Sequence, residues 1–300
     1  MNYISLQTHL VNTNKIMENL ELPMCLLDWI DKDKIDWDGL SINPNAIQML
    51  KEYPDKIDWV YLSFNPTAEA IALLKANPLI IDWLNLSRNP TAEAIALLRE
   101  YPDKIIWYAL SENLNAIDLL KENPDKINWF YLSKNPNVEA IALLKEHPDK
   151  IYWYGLSGNP NAIQLLKENP DKIDWTWLSK NPNAIALLRE NPDKIRWDWL
   201  SENPNAEAIS LLKEHPLKIN WYMLSFNPNS EAIELLKENP DKINWFQLSK
   251  NPSIFTYDYD KMRENMLIFK EDLMKERFHP RNLRKFGLWG HSGGIEDDDE

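Results

Sequence analysis

The stretch Asn159-Pro160-Asn161-Ala162-Ile163-Gln164-Leu165-Leu166-Lys167-Glu168-Asn169-Pro170-Asp171-Lys172-Ile173-Asp174-Trp175-Thr176-Trp177-Leu178-Ser179 decides the fold, because the chain repeats it. Its signature, W-x-x-L-S-x-N, recurs ten times, with the tryptophan at Trp37, Trp59, Trp83, Trp107, Trp129, Trp153, Trp175, Trp197, Trp221 and Trp245. Successive tryptophans lie 22 or 24 residues apart. The Leu at Trp+3, the Ser at Trp+4 and the Asn at Trp+6 are invariant, and Pro follows the Asn in nine copies, Leu114 being the exception. A period in this range marks an array of small units, each too small to bury its own apolar face.

The two spacings locate the helices. Short units read Asn-Pro-Asn-Ala-Ile (43–47) and long ones Asn-Pro-Thr-Ala-Glu-Ala-Ile (65–71). Two residues added inside a helix would rotate everything beyond by about 200° and destroy the buried stripe. Added at a helix start, they only lengthen it. Asn followed by Pro suits an N-cap and first helical position. One helix per unit, helix A, is therefore predicted over Pro66 to about Ala76 and its equivalents. The Pro-Asp-Lys-Ile segment is a turn. Asp58, Asp82, Asn128, Asp174, Asn220 and Asn244 precede the tryptophan and are candidate caps of a second helix, helix B, from about Trp59 to Phe64. A leucine-rich β-solenoid needs an aliphatic residue two positions after the Leu. Here that site holds Ile42, Phe64, Arg88, Glu112, Lys134, Gly158, Lys180, Glu202, Phe226 and Lys250. The fold class predicted is all-α: an α-solenoid of about ten 22/24-residue helix-turn-helix repeats with N- and C-terminal capping helices. Stacked openly at about 9–10 Å per unit, it would be on the order of 90–100 Å long.

On helix B, Trp and the Leu at Trp+3 share one face. The ten tryptophans are expected to be the stacking core. Trp+1, Trp+2 and Trp+5 lie opposite and vary most. Eleven of these thirty positions are aromatic: Tyr61, Phe64, Tyr108, Phe130, Tyr131, Tyr154, Trp177, Trp199, Tyr222, Phe226 and Phe246. The chain as a whole is 11% aromatic, so the face is enriched about threefold. Such a face either packs against neighbouring helices or recognises a partner, the usual task of variable positions in repeat proteins. The invariant Asn is expected to cap helix A, and the Ser to bond back to a helix carbonyl.

The repeat body is expected over 35–252. Residues 1–34 form an N-terminal helical cap containing a degenerate unit around Trp29. Residues 253–289 hold a C-terminal capping helix, about Tyr257 to Phe278, on which Tyr259, Met262, Met266, Phe269 and Leu273 step by three and four. A basic patch of Lys275, Arg277, Arg281, Arg284 and Lys285 follows, and 290–300 is a mobile acidic tail.

The composition excludes several function classes. One cysteine among 300 residues rules out an intrachain disulfide framework or a cysteine zinc site. A net charge of −13 opposes a broad phosphate-binding surface. Neither a membrane span nor a secretory leader is visible. Phosphate loops, zinc-ligand spacings and nucleophile elbows are absent, and His147 and His215 are turn substitutions. Ten near-identical units offer ten similar environments, whereas catalysis needs one perturbed one. No enzyme activity, cofactor or metal is therefore expected.

The repeat text resembles short tandem repeats of proteins encoded by giant DNA viruses, over about residues 27–285. That resemblance implies viral origin and a place in the cytoplasm of an infected host cell or in the virion, not secretion. It carries no catalytic residues. The function expected is a non-enzymatic, monomeric scaffold that binds a protein partner, favouring basic ones, through the variable aromatic face. A structural component of a virus particle is the alternative. Single-stranded nucleic-acid binding by aromatic stacking is opposed by the charge.

Overall fold

A computed structural model of the chain describes residues 22–277. Residues Leu26–Phe255 form one compact unit, the repeat body, and the described residues 22–25 and 256–277 fall outside it. Two short strands, β1 (Met24–Leu26) and β2 (Phe255–Tyr257), pair with each other. A strand thus stands within the N-terminal stretch expected to be helical. The helix Tyr259–Arg277 matches the expected C-terminal helix. Residues 27–34, around Trp29, form turns and no helix, so the helical cap expected there is absent from the described part of that stretch. Residues 1–21, most of the basic patch and the acidic tail lie outside the described residues.

Repeats 1 to 9, numbered here by the order of their tryptophans, are each two short helices joined by tight turns; repeat 10 has its helix B (Trp245–Ser249) and a 3-10 turn (Pro252–Ile254) but then enters β2. Helix B begins at every tryptophan and runs four to six residues, as in Trp59–Leu62 and Trp129–Lys134. All six predicted caps accept the backbone N–H three residues on, as Asp58 does from Tyr61 at 2.8 Å. The Pro-Asp-Lys turn is a single 3-10 turn, for instance Pro170–Lys172. Helix A is nine residues in long repeats (Ala68–Ala76) and six in short ones (Ile163–Glu168). The additional residues therefore extend its start and leave the inner face in register. Its start falls two residues later than predicted. In long repeats Thr67 or Asn137, rather than the invariant Asn, caps it. In short repeats the invariant Asn does cap the 3-10 turn leading into helix A, Asn43 accepting the Asn45 N–H and Asn159 the Asn161 N–H, each at 3.0 Å. Its amide donors are engaged elsewhere.

That Asn is buried in every repeat. Its Nδ2 donates twice, to the Ser and Asn carbonyl oxygens of the preceding repeat. Asn135 reaches Ser111 at 3.0 Å and Asn113 at 2.8 Å. Its Oδ1 accepts from two residues on, as from the Asn137 N–H at 2.9 Å. The invariant Ser is equally committed. Ser133 Oγ donates to the Trp129 carbonyl at 2.8 Å and accepts the Tyr152 N–H of the next repeat at 3.0 Å. These groups sit at helix ends, where backbone donors and acceptors lack intrahelical partners. Side chains therefore supply what the helices leave open, and buried polar atoms stay paired. Apolar filling comes from the Leu at Trp+3, buried in all ten repeats, with the Ala and second Leu of helix A. A fully buried leucine stabilises by about 1.5–3 kcal/mol.

The ladder does not end at repeat 1. Asn43 donates to the Ser249 and Asn251 carbonyls of repeat 10, both at 2.9 Å. The Asp36 N–H reaches Ser249 Oγ at 2.9 Å. Helix B of repeat 1 packs on helix B of repeat 10 as any two neighbours do. The repeat body is a closed ring. An open stack about 90–100 Å long was expected; instead the end repeats complete each other, so neither leaves a core face exposed.

Helix B lines the inside of the ring. Side chains two repeats apart meet on its variable face: Lys134 of repeat 5 lies over Trp177 of repeat 7, and Tyr61 of repeat 2 packs on Phe246 of repeat 10. Such contacts form where repeats converge. Ion pairs of helix A, such as Lys75–Glu100 and Arg99–Glu122, join adjacent repeats around the outside.

Candidate functional face

The variable face of helix B is both accessible and laterally packed. None of its eleven aromatics is fully buried; Tyr154 is 47% and Tyr222 49% exposed. They also touch one another around the ring. Tyr108 meets Tyr131 at 5.3 Å between ring centres, Phe130 meets Tyr131 at 5.1 Å, and Tyr154 meets Trp177 at 4.9 Å. Trp177 then stacks on Trp199 at 5.7 Å. Edge and offset contacts of this kind add about 0.5–1.5 kcal/mol beyond area burial. Packing and exposure, set against each other in the sequence, therefore coexist here.

Charges at Trp+5 are threaded through these rings. Lys180 lies 4.2 Å from the Trp177 ring centre, and Lys134 lies 4.5 Å from Phe130 and 4.7 Å from Trp177. Lys250 lies 3.7 Å from Phe246. A cation over an aromatic face is attracted by the ring quadrupole. Burial pushes the Lys134 ammonium below the usual lysine range; Glu112 works against that shift, while Lys180 and Arg88 add to it. Lys250 is lowered by burial too. Burial chiefly, with Asp36 and Asp58 adding to it, raises Asp38. The Trp177 indole N–H is buried without an acceptor. A desolvated, unpaired donor costs about 1–3 kcal/mol.

The thirty face positions hold four cations (Arg88, Lys134, Lys180, Lys250) and four anions (Asp38, Glu112, Asp198, Glu202), so the inner face is neutral. The net charge of −13 resides elsewhere in the chain.

The invariant tryptophans are half-buried in all ten repeats and are not the deepest core. Where an aromatic or histidine precedes the turn proline, the tryptophan packs on it, as Trp37 does on Tyr53, Trp83 on Tyr101, Trp129 on His147 and Trp197 on His215. The two turn histidines thus meet the indoles edge-on. On two turns a leucine, Leu79 or Leu217, replaces the usual Asp and is 96% or 101% exposed. Among the described residues no cluster of His, Cys, Asp or Glu could hold a metal, and no helix is long and apolar enough to cross a membrane. Comparison with family models, curated proteins and solved structures finds no match.

Sequence reasoning missed the face's glycines. A Cβ on Gly155 would lie 2.9 Å from Lys134 Cγ, and one on Gly158 would lie 2.8 Å from Trp177 Cε3. Both positions of repeat 6 are emptied so that Lys134 and Trp177 meet across it. The only available signal was a pair of glycines in a chain holding seven.

Proposed function

We propose that this protein is a non-enzymatic ring scaffold that binds a protein partner against its inner face. The resemblance of its repeats to those of giant-virus proteins supports a role in an infected cell. The observation that carries the reading is the accessible array of aromatic rings on the concave side. Solvent-facing helix positions are ordinarily polar, and exposed apolar patches commonly mark interaction sites. The framework residues are committed to the Ser–Asn ladder, so the face can vary between repeats while the ladder stays the same. Its neutrality opposes binding to a nucleic-acid backbone, which requires a surplus of cations.

Site-specific photo-crosslinking tests the proposal. A benzophenone side chain is placed at Tyr154 on the inside and, separately, at Ala96 on the outside of helix A. A discrete adduct in expressing or infected cells is expected from position 154 alone. Adducts from position 96 alone would place recognition on the outer surface and end this reading. The exposed Leu79 and Leu217 favour a second reading, a particle component that self-associates through its turns. In that case sedimentation would show concentration-dependent oligomers that Leu79→Asp and Leu217→Asp together abolish.

A further inference from the structure

The inner face repeats itself after half a turn. Repeats 5 and 10 alone carry Phe at Trp+1 with Lys at Trp+5: Phe130 with Lys134, and Phe246 with Lys250. The following repeat has Gly at Trp+2 in both arcs, Gly155 or Gly39. The one after that has an aromatic at Trp+2, Trp177 or Tyr61. The preceding repeat has Tyr at Trp+1, Tyr108 or Tyr222. In a closed ring of ten, five repeats is a half-turn. The ring therefore carries two equivalent boxes on opposite sides. In each, an ammonium bridges rings two repeats apart across a glycine: Lys134 between Phe130 and Trp177, Lys250 between Phe246 (3.7 Å) and Tyr61 (5.9 Å). At Gly39 a Cβ would come within 2.8 Å of both the Phe246 carbonyl oxygen and Ser249 Cβ, so this glycine admits the close approach of repeat 10, whereas Gly155 clears the Lys134 side chain itself.

The two ammoniums differ from the other cations of the face. Arg88 and Lys180 at the same helical position reach Glu112 (3.9 Å) and Glu202 (3.8 Å). Among the described residues, neither Lys134 nor Lys250 has a carboxylate within 4.0 Å. A methionine would fill the same gap between the rings without desolvating a charge. Glu112 and Asp36 act on Lys134 and Lys250 only from beyond contact distance; two cations held at matched places, each without a carboxylate in contact, point to anions brought from outside.

We propose that each box receives one carboxylate side chain of a two-fold symmetric protein partner seated in the ring. This rests on the inner face being the binding surface and names the partner's chemistry and symmetry. A two-fold partner satisfies both boxes with one contact made twice, as in any isologous interface. Once it is bound, the ammonium sits between an aromatic face and a carboxylate and is no longer unpaired.

The test uses a bivalent probe. Helix axes about 9 Å apart put ten helices on a circle roughly 30 Å across, and inward side chains bring the boxes to about 20 Å. A Gly-Ser linker of about 15 residues spans that distance. The probe is a peptide with a Glu-Phe pair at each end of such a linker, titrated against the full chain with tryptophan fluorescence as readout. The monovalent half is the reference. Intramolecular capture at the second box is expected to tighten binding at least tenfold. Lys134→Met and Lys250→Met should each reduce the bivalent peptide to the monovalent level, and Lys134→Arg should restore the advantage. Melting curves of the variants establish that they fold. A bivalent peptide binding no better than its half overturns the proposal, as does a single Met variant that retains the advantage. If the advantage is missing while position 154 still crosslinks a partner, the boxes do not take paired carboxylates but the inner face still binds. If both are missing, the function reading falls as well.

Discussion

A lysine half-buried among aromatic rings has opposing effects on stability. The rings attract its charge, while loss of water penalises it; burial, with Lys180 and Arg88 adding to it against Glu112, holds the Lys134 ammonium below the usual lysine range. A lysine whose folded pKa lies below its unfolded value costs the fold stability at neutral pH. As pH rises through the folded pKa towards the unfolded one, the cost is removed because the folded group has already lost its proton. Lys134→Met retains the apolar stem and discards the charge. It is therefore expected to melt at or above wild type at pH 7, with the difference narrowing at alkaline pH. Differential scanning calorimetry at pH 7 and pH 10 checks this, and a variant several degrees less stable at pH 7 would show the ammonium to be structural. Lys134 was visible in the sequence only as a non-aliphatic residue that argued against a β-solenoid. Its environment was not legible there, because Trp177, the ring it meets, comes from two repeats away.

At the scale of helices, most of the unit could be read directly. Asp58, Asp82 and Asn128 cap helix B where their position before the tryptophan predicted, because capping is local. The alternating period located the start of helix A for the same reason. The invariant Asn was half legible: its Oδ1 caps the Pro-led turn of short repeats as Asn-Pro predicted, but its donors go to another repeat. The tryptophan misled: size and invariance suggested the deepest core, yet that place belongs to the smaller Leu at Trp+3. The reading of the insertion makes a prediction. Deleting Val138 and Glu139 converts repeat 5 from the long to the short form. It should leave a cooperative melt within about 1 kcal/mol of wild type, because only an exposed first turn is lost. Deleting Leu143 and Leu144 removes the same number of residues but turns the buried stripe and should abolish cooperative unfolding. Circular dichroism melts distinguish the outcomes; equal damage from both deletions would disprove the assignment of the insertion to the helix start.

For the whole molecule, closure depends on a small rotation per unit summed over ten repeats, and no single residue encodes it. The chain instead shows its consequence in the inner layer, since the Trp, Leu, Ser and Asn of repeats 1 and 10 are the same as those of the middle repeats, although repeat 10 runs into β2 in place of a helix A. Geometry alone decides whether Asn43 has neighbours to donate to, and that gives a test. In a ring, Asn43 and Asn135 make the same pair of hydrogen bonds to buried carbonyls, one across the seam and the other in mid-body. Replacing either with Ala strands two acceptors, at about 1–3 kcal/mol each. Asn43→Ala and Asn135→Ala should therefore destabilise by similar amounts, about 2–4 kcal/mol, measured by urea unfolding with equal m-values. In an open solenoid repeat 1 has no predecessor, so Asn43→Ala would be nearly silent while Asn135→Ala kept its full cost. The ratio of the two losses thus reports on ring closure in solution, independently of any partner.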